Sequence, residues 1–155
     1  MRKLSIFLLL TTMFGISCKR QESKIGSEET TISASFFKDY SDQKLMDSLG
    51  NRVNKFGDTA AFNKMKDIYL LSENSKKLLY FSMKMSDDYD FGGASMVTYG
   101  ILKTDDTTKV NYKLANYYLL KASEEGNQNA KSSIKIRFPS GVIPKSRDYW
   151  KTIKK

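Results

Sequence analysis

The sequence contains no histidine. That removes the side chain most often used as a general base near neutral pH and the commonest metal ligand, so histidine-based triads and typical zinc sites are excluded. A single cysteine, Cys18, leaves no intramolecular disulfide to form. The two prolines, Pro139 and Pro144, fall late in the chain, so nothing forbids helix through the central region. No phosphate-binding glycine loop occurs. The acidic run Asp87, Asp88 and Asp90 before Gly92 and Gly93 fails as a calcium loop, because the twelfth position counted from Asp88 is Tyr99, where a bidentate glutamate is needed. Neither a metal nor a cofactor is expected.

What is present suffices for one packed domain. Of 155 residues 40% are apolar, with nine tyrosines and nine phenylalanines to fill a core. The chain opens with Arg2 and Lys3, followed by an uncharged stretch over 4–17 holding Ile6, Phe7, Leu8, Leu9, Leu10, Met13, Phe14 and Ile16. Such a basic start and short apolar run reads as an export signal over 1–17. A spanning helix needs roughly 20 apolar residues, and Lys19 and Arg20 end this run early, which makes a permanent transmembrane anchor the weaker alternative.

The segment Phe14-Gly15-Ile16-Ser17-Cys18 resembles a bacterial lipobox, with Gly15 where that pattern usually has leucine. The resemblance implies acylation of Cys18 and attachment of the mature chain to a membrane, each buried methylene contributing about 0.8 kcal/mol. The alternative is an ordinary cleaved signal with an incidental cysteine. The stretch 18–40 is polar until Phe36, Phe37 and Tyr40 and reads as a flexible tether. No acidic run follows Cys18, so a periplasm-facing position on the outer membrane is the expected location.

Over 41–138 apolar residues recur at helical spacing, in segments separated by short polar turns. Six helices are the simplest parse. Met46, Leu49 and Val53 stripe the first, about 42–56, and Gly57 supplies a left-handed stop. Asp58 or Thr59 caps the second, which carries Ala61, Met65 and Tyr69. Leu78, Phe81 and Met85 stripe the third, about 75–86; Ala94, Thr98 and Leu102 the fourth. Ala115, Tyr118 and Ala122 mark the fifth, and Ala130, Ile134 and Phe138 the sixth. Ala61, Ala94 and Ala130 are 33 and 36 residues apart, each near the start of the second helix of a pair. The expected fold is therefore all-α, a short α-solenoid of three helical hairpins, with an unrelated six-helix bundle as the alternative. The basic segment 139–155 is expected to cap the last hairpin through Trp150 and Ile153, on a short helix that Ser146 would cap.

Ala115, Tyr118, Lys121, Ala122, Gly126 and Ala130 resemble the tetratricopeptide-like repeats of the Sel-one type, and Gly57, Ala61, Met65 and Tyr69 resemble the matching part of an earlier copy. The middle copy departs, with Tyr89 or Asp90 at the glycine position and Thr98 at a core position. The resemblance spans about 46–138 and implies stacked hairpins with a continuous inner surface for a protein or peptide.

The net charge of +9 becomes near +7 once Arg2 and Lys3 are removed. Residues 18–130 hold 16 basic and 16 acidic side chains, so the excess sits in 131–155, where eight basic residues face Asp148 alone. Such an end suits anionic headgroups, an acidic protein or an envelope polyanion, or is simply a solvated tail. Nucleic acid is disfavoured by location. The acids Asp87, Asp88, Asp90, Glu124 and Glu125 read as solvated turn or helix-end residues. Tyr80, Lys84, Tyr112, Asn116, Tyr117 and Lys121 are the expected partner-binding residues, lining a groove, with inter-repeat packing as the plainer reading of each. The expected role is non-enzymatic binding of a protein or peptide by an envelope lipoprotein. Two alternatives stay open: an immunity or inhibitor protein against a toxin, and a cell-wall enzyme acting through Asp or Glu.

Overall fold

Asp42, Asp58, Thr108 and Asn127 each stand before a helix in extended backbone, and each side chain accepts a hydrogen bond from a first-turn N–H. This satisfies donors that a helix start leaves without partners. The computed structural model describes residues 25–104 and 108–154, with side chains from residue 33 onward. Its elements are α1 (Ile25–Ser41), α2 (Gln43–Phe56), α3 (Thr59–Leu71), α4 (Ser75–Tyr89), α5 (Gly92–Thr104), α6 (Lys109–Glu124), α7 (Gln128–Arg137) and α8 (Ser146–Ile153). The described residues form no strand, and none of their helices is long and apolar enough to cross a membrane. The export segment and Cys18 lie outside them.

Consecutive helices pair: α2 with α3, α4 with α5, α6 with α7, and each hairpin packs on the next through α3–α4, α2–α4 and α5–α6. The all-α, hairpin-by-hairpin arrangement read from the stripes is the observed one. Met46, Leu49, Val53, Ala61, Met65, Tyr69, Leu78, Met85, Ala94 and Leu102 are all buried, as are Ala115, Tyr118, Ala122, Ala130 and Ile134. The three spaced alanines sit with no side chain beyond Cβ at helix contacts, where bulk would force the helices apart.

The core divides in two. One apolar cluster joins α2, α3, α4 and part of α5, with Phe36 and Tyr40 of α1 packed against it; the other joins α5, α6 and α7, with Tyr149 of α8. Leu79 touches both. Along the α4–α5 contact run Ser82, Ser86, Ser95 and Thr98, all buried, with Thr98 Oγ1 2.9 Å from Ser82 Oγ and Ser86 Oγ 2.7 Å from Ser95 Oγ. Paired hydroxyls satisfy one another there, so the small side chains bring the two helices close without orphaned polar groups.

Three expectations change. The tether over 18–40 gives way, from residue 25, to α1. Phe36 and Tyr40, one turn apart, anchor its end, and helix extends back from that fixed turn because propagation is easier than nucleation. Asp87 and Asp88 belong to the last turn of α4, and Asp90 takes the left-handed conformation that glycine holds in the other copies, at φ 49°. Ser146 does not cap its own helix: its N–H and hydroxyl both donate to the Glu124 carboxylate of α6, at 2.8 and 2.6 Å.

Glu73, in the turn before α4, is the other non-glycine residue with positive φ among the described residues, at 59°. Glu73→Gly is expected to raise unfolding free energy by about 0.5–1 kcal/mol, the relief of left-handed strain exceeding the added freedom of the unfolded chain. Urea denaturation checks it; a loss of stability would mean that the strain is not there.

Candidate functional site

A groove lies where α1 ends and α2, α3 and α4 meet, with a volume of about 650 Å³. Tyr69 and Phe81 form its floor with Met46 and Gly50; Tyr40, Ser41 and Lys77 form one wall; Gln43, Asp47, Asn51 and Asn54 form the other. The local causes are simple. Gly50 has no side chain, and a Cβ there would touch the Phe81 ring at 3.4 Å, so any side chain larger than alanine would press on the ring. Tyr69 stacks on Phe81 with centroids 6.3 Å apart, and Tyr40 meets Tyr69 edge-on at 5.9 Å. Lys77 donates to the Tyr40 hydroxyl, which holds the ammonium's pKa above its ordinary value.

Gln43, Asp47, Asn51 and Asn54 follow each other at helical spacing along one face of α2. Gln43 Nε2 already donates to Asp47 at 2.7 Å, whereas Asn54 Oδ1 is buried without a hydrogen bond. An enclosed, unsatisfied carbonyl costs about 1–3 kcal/mol, and a donor arriving in the groove recovers it on rotation of the amide. With one cation and one anion among its lining residues, the groove suits a neutral amide ligand laid on aromatic rings better than an anion.

The six residues singled out from sequence do not share one open surface. Tyr80 is 61% exposed on α4, and Lys84 pairs with Asp88 one turn further on. Tyr112 lies exposed on α6 with the Arg137 guanidinium 4.3 Å from its ring centroid. Asn116 is buried: Oδ1 accepts from Arg137 Nε at 2.8 Å, and Nδ2 donates to the Tyr149 hydroxyl at 3.0 Å. Tyr117 is half-buried between Tyr118 and Trp150, with centroids at 5.0 and 4.8 Å. These last contacts arise because α8 lies along α6: Ser146 meets Glu124, Tyr149 meets Asn116, and the Thr152 carbonyl accepts from Lys113. Tyr149 and Trp150 thus both lie against α6.

Lys121 is drawn into the fold. It donates to the Ser86 carbonyl and to Asp87 at 3.2 Å, and lies 3.7 Å from Asp90 and 3.5 Å from Glu125. Burial opposes its charge, but the Asp87 bond and the surrounding carboxylates outweigh that and raise its pKa. Tyr118 donates to Asp87 at 2.8 Å, and burial first, then that bond, pushes the phenol well above its usual range. The α1–α4 groove does not include this cluster, which ties α4 to α6. Glu125, expected as a solvated helix end, is enclosed here instead. Burial raises its pKa despite the Ser95 hydroxyl that donates to it and the nearby Lys121.

A carboxyl whose folded pKa lies above its unfolded value of 4.5 detracts from stability once pH exceeds the folded value, and that cost fades as pH falls toward 4.5. Glu125→Gln is thus expected to be the more stable protein at neutral pH, with the gap to the parent closing on mild acidification. Denaturation across that range tests it; a gap independent of pH would rule out the buried charge as its source.

Sequence reasoning missed Tyr40, Asn51, Asn54, Lys77 and the groove itself. A signal was present: the amides of Gln43, Asn51 and Asn54 recur at helical spacing along α2. No protein-family model, no curated protein and no solved structure matches this chain.

Proposed function

We propose that this chain is a lipid-anchored helical repeat protein of the bacterial cell envelope that binds an extended peptide segment of a protein partner in the α1–α4 groove. The single observation that carries the binding reading is the groove itself, with its aromatic floor, its amide-lined wall and the unsatisfied Asn54 carbonyl. An extended peptide offers a backbone N–H and C=O at each residue, matching asparagine amides, and alternate side chains to rest on Tyr69 and Phe81. The basic start, short apolar run and Cys18 support the anchor, and the spaced alanines with their hairpins support kinship with Sel-one type repeats. The chemistry assigned is recognition, with no catalytic step.

Selection of peptides from a random displayed library on the full chain tests the groove. Asn51→Ala with Asn54→Ala should weaken selected peptides roughly 30-fold, the loss of two amide bonds of about 1 kcal/mol each. Gly50→Leu, which fills the groove from a helical position and presses on the Phe81 ring, should abolish binding at some cost in melting temperature. Peptides bound equally by both variants would dismiss the groove. Labelling with radioactive palmitate tests the anchor separately: incorporation by the parent and none by Cys18→Ser is expected.

A further inference from the structure

We propose that the end of the molecule formed by α7 and the 138–145 loop is a docking surface for an anionic lipid bilayer. α7 points Ala130 and Ile134 into the core, yet Ile136 on its opposite side is 82% exposed. In the loop that follows, Val142 is 75% and Ile143 53% exposed, Ile143 standing at a shallow cleft of about 260 Å³ without filling it. Three aliphatic side chains in solvent within eight residues serve no packing purpose in the fold.

Cations surround them. Lys131 and Lys135, one turn apart, share the outward side of α7 with Ile136, and Lys145 and Arg147 follow the loop; all four are exposed. None of the four makes an ion pair among the described residues. The two acids nearby are already engaged, Asp148 by Lys151 at 2.7 Å and Glu124 by Ser146.

The pairing of features selects the occupant. A solvated tail or a soluble polyanion calls for the cations alone and gains nothing from protruding isoleucine and valine. A bilayer with acidic headgroups uses both, the cations at phosphate level and the aliphatics below it. This surface is distinct from the α1–α4 groove and does not depend on its ligand.

The test uses the full chain with Cys18→Ser, so that a cysteine introduced at Val142 is the only one and carries an environment-sensitive fluorophore. The same label at Asn63, exposed on α3, is the reference. The apolar start of the chain can bring either protein to any vesicle, so the local signal decides. Mixed phosphatidylcholine–phosphatidylglycerol vesicles should brighten and blue-shift the label at 142 and leave that at 63 unchanged, while phosphatidylcholine alone should do neither. Lys131→Gln with Lys135→Gln should raise the lipid needed for half the response roughly 25-fold, from about fivefold per cation. Ile136→Ser should shrink the blue shift. Equal response at both positions, or a dark label at 142 on protein that sediments with the vesicles, would overturn the proposal. So would an equal signal from soluble polyglutamate, which would give the surface to an acidic protein instead.

Discussion

Lys121→Met should lower the unfolding free energy by about 2–4 kcal/mol at neutral pH, less than a fully buried ion pair would lose because part of the cluster meets water. Methionine keeps the stem that packs on α4 and removes only the charge and its donors. Asp87 and Asp90 are exposed and can hydrate. Glu125 is far less open: Ser95 donates to one oxygen, Oε1 has no hydrogen bond, and the ammonium lies 3.5 Å from it. Most of the loss therefore falls on one carboxylate, and two further measurements should show it. Mild acid should restore part of the stability as Glu125 takes a proton, and Lys121→Met combined with Glu125→Gln should be more stable than Lys121→Met alone. A deficit indifferent to both would place the cost in the lost bonds to Ser86 and Asp87.

The second large effect is expected at Gly57. Its φ of 60° is unfavourable for any side chain, and a Cβ built there would fall 2.3 Å from the Tyr89 ring. Left-handed backbone costs alanine about 1–2 kcal/mol, and displacing a packed ring adds a comparable amount, so Gly57→Ala should lose about 2–4 kcal/mol in urea denaturation. Tyr89 would also give up its bond from the hydroxyl to the Asn54 main-chain carbonyl, 3.1 Å long, and with it a brace on the end of α2 that carries the groove amides. Placing Gly57→Ala on a Tyr89→Ala background separates the two causes: about 1–2 kcal/mol should remain, the backbone share alone. If the full loss persists there, the ring is not the obstacle.

The parts of the fold legible in advance were those governed by nearest neighbours along a helix. Met46, Leu49 and Val53 declare a buried stripe by spacing alone, Asp58 announces a helix start, and Gly57 can end the helix before it. Features that depend on what another helix brings were not legible. Serines 82, 86 and 95 are unremarkable in sequence; they become an interior only when α5 lies on α4 and each hydroxyl finds another. Glu125 looks like any acid near a helix end until α5 brings Gly92 and Ser95 against it. The groove joins Tyr40 to Phe81, 41 positions apart in the chain, and no local pattern relates those two. Helix α1 was missed for a different reason: a run of Ser, Thr and Glu is ordinary linker composition, and only its anchoring through Phe36 and Tyr40 makes it a helix.

Helix α5 has a bearing on how this protein can change over generations. Buried Ala94 and Ile101 belong to the first cluster, Tyr99 and Leu102 to the second, and Ser95 and Thr98 to the hydroxyl seam between them, so nearly every side of the helix is spoken for. Drift in most of the molecule can hide on a wet face; α5 offers for that purpose little beyond Gly100, where an added methyl group would touch nothing, and the two residues at its end. Descendants of this chain should thus vary freely around a nearly frozen keystone, and sister proteins too distant to align elsewhere should be recognisable by it.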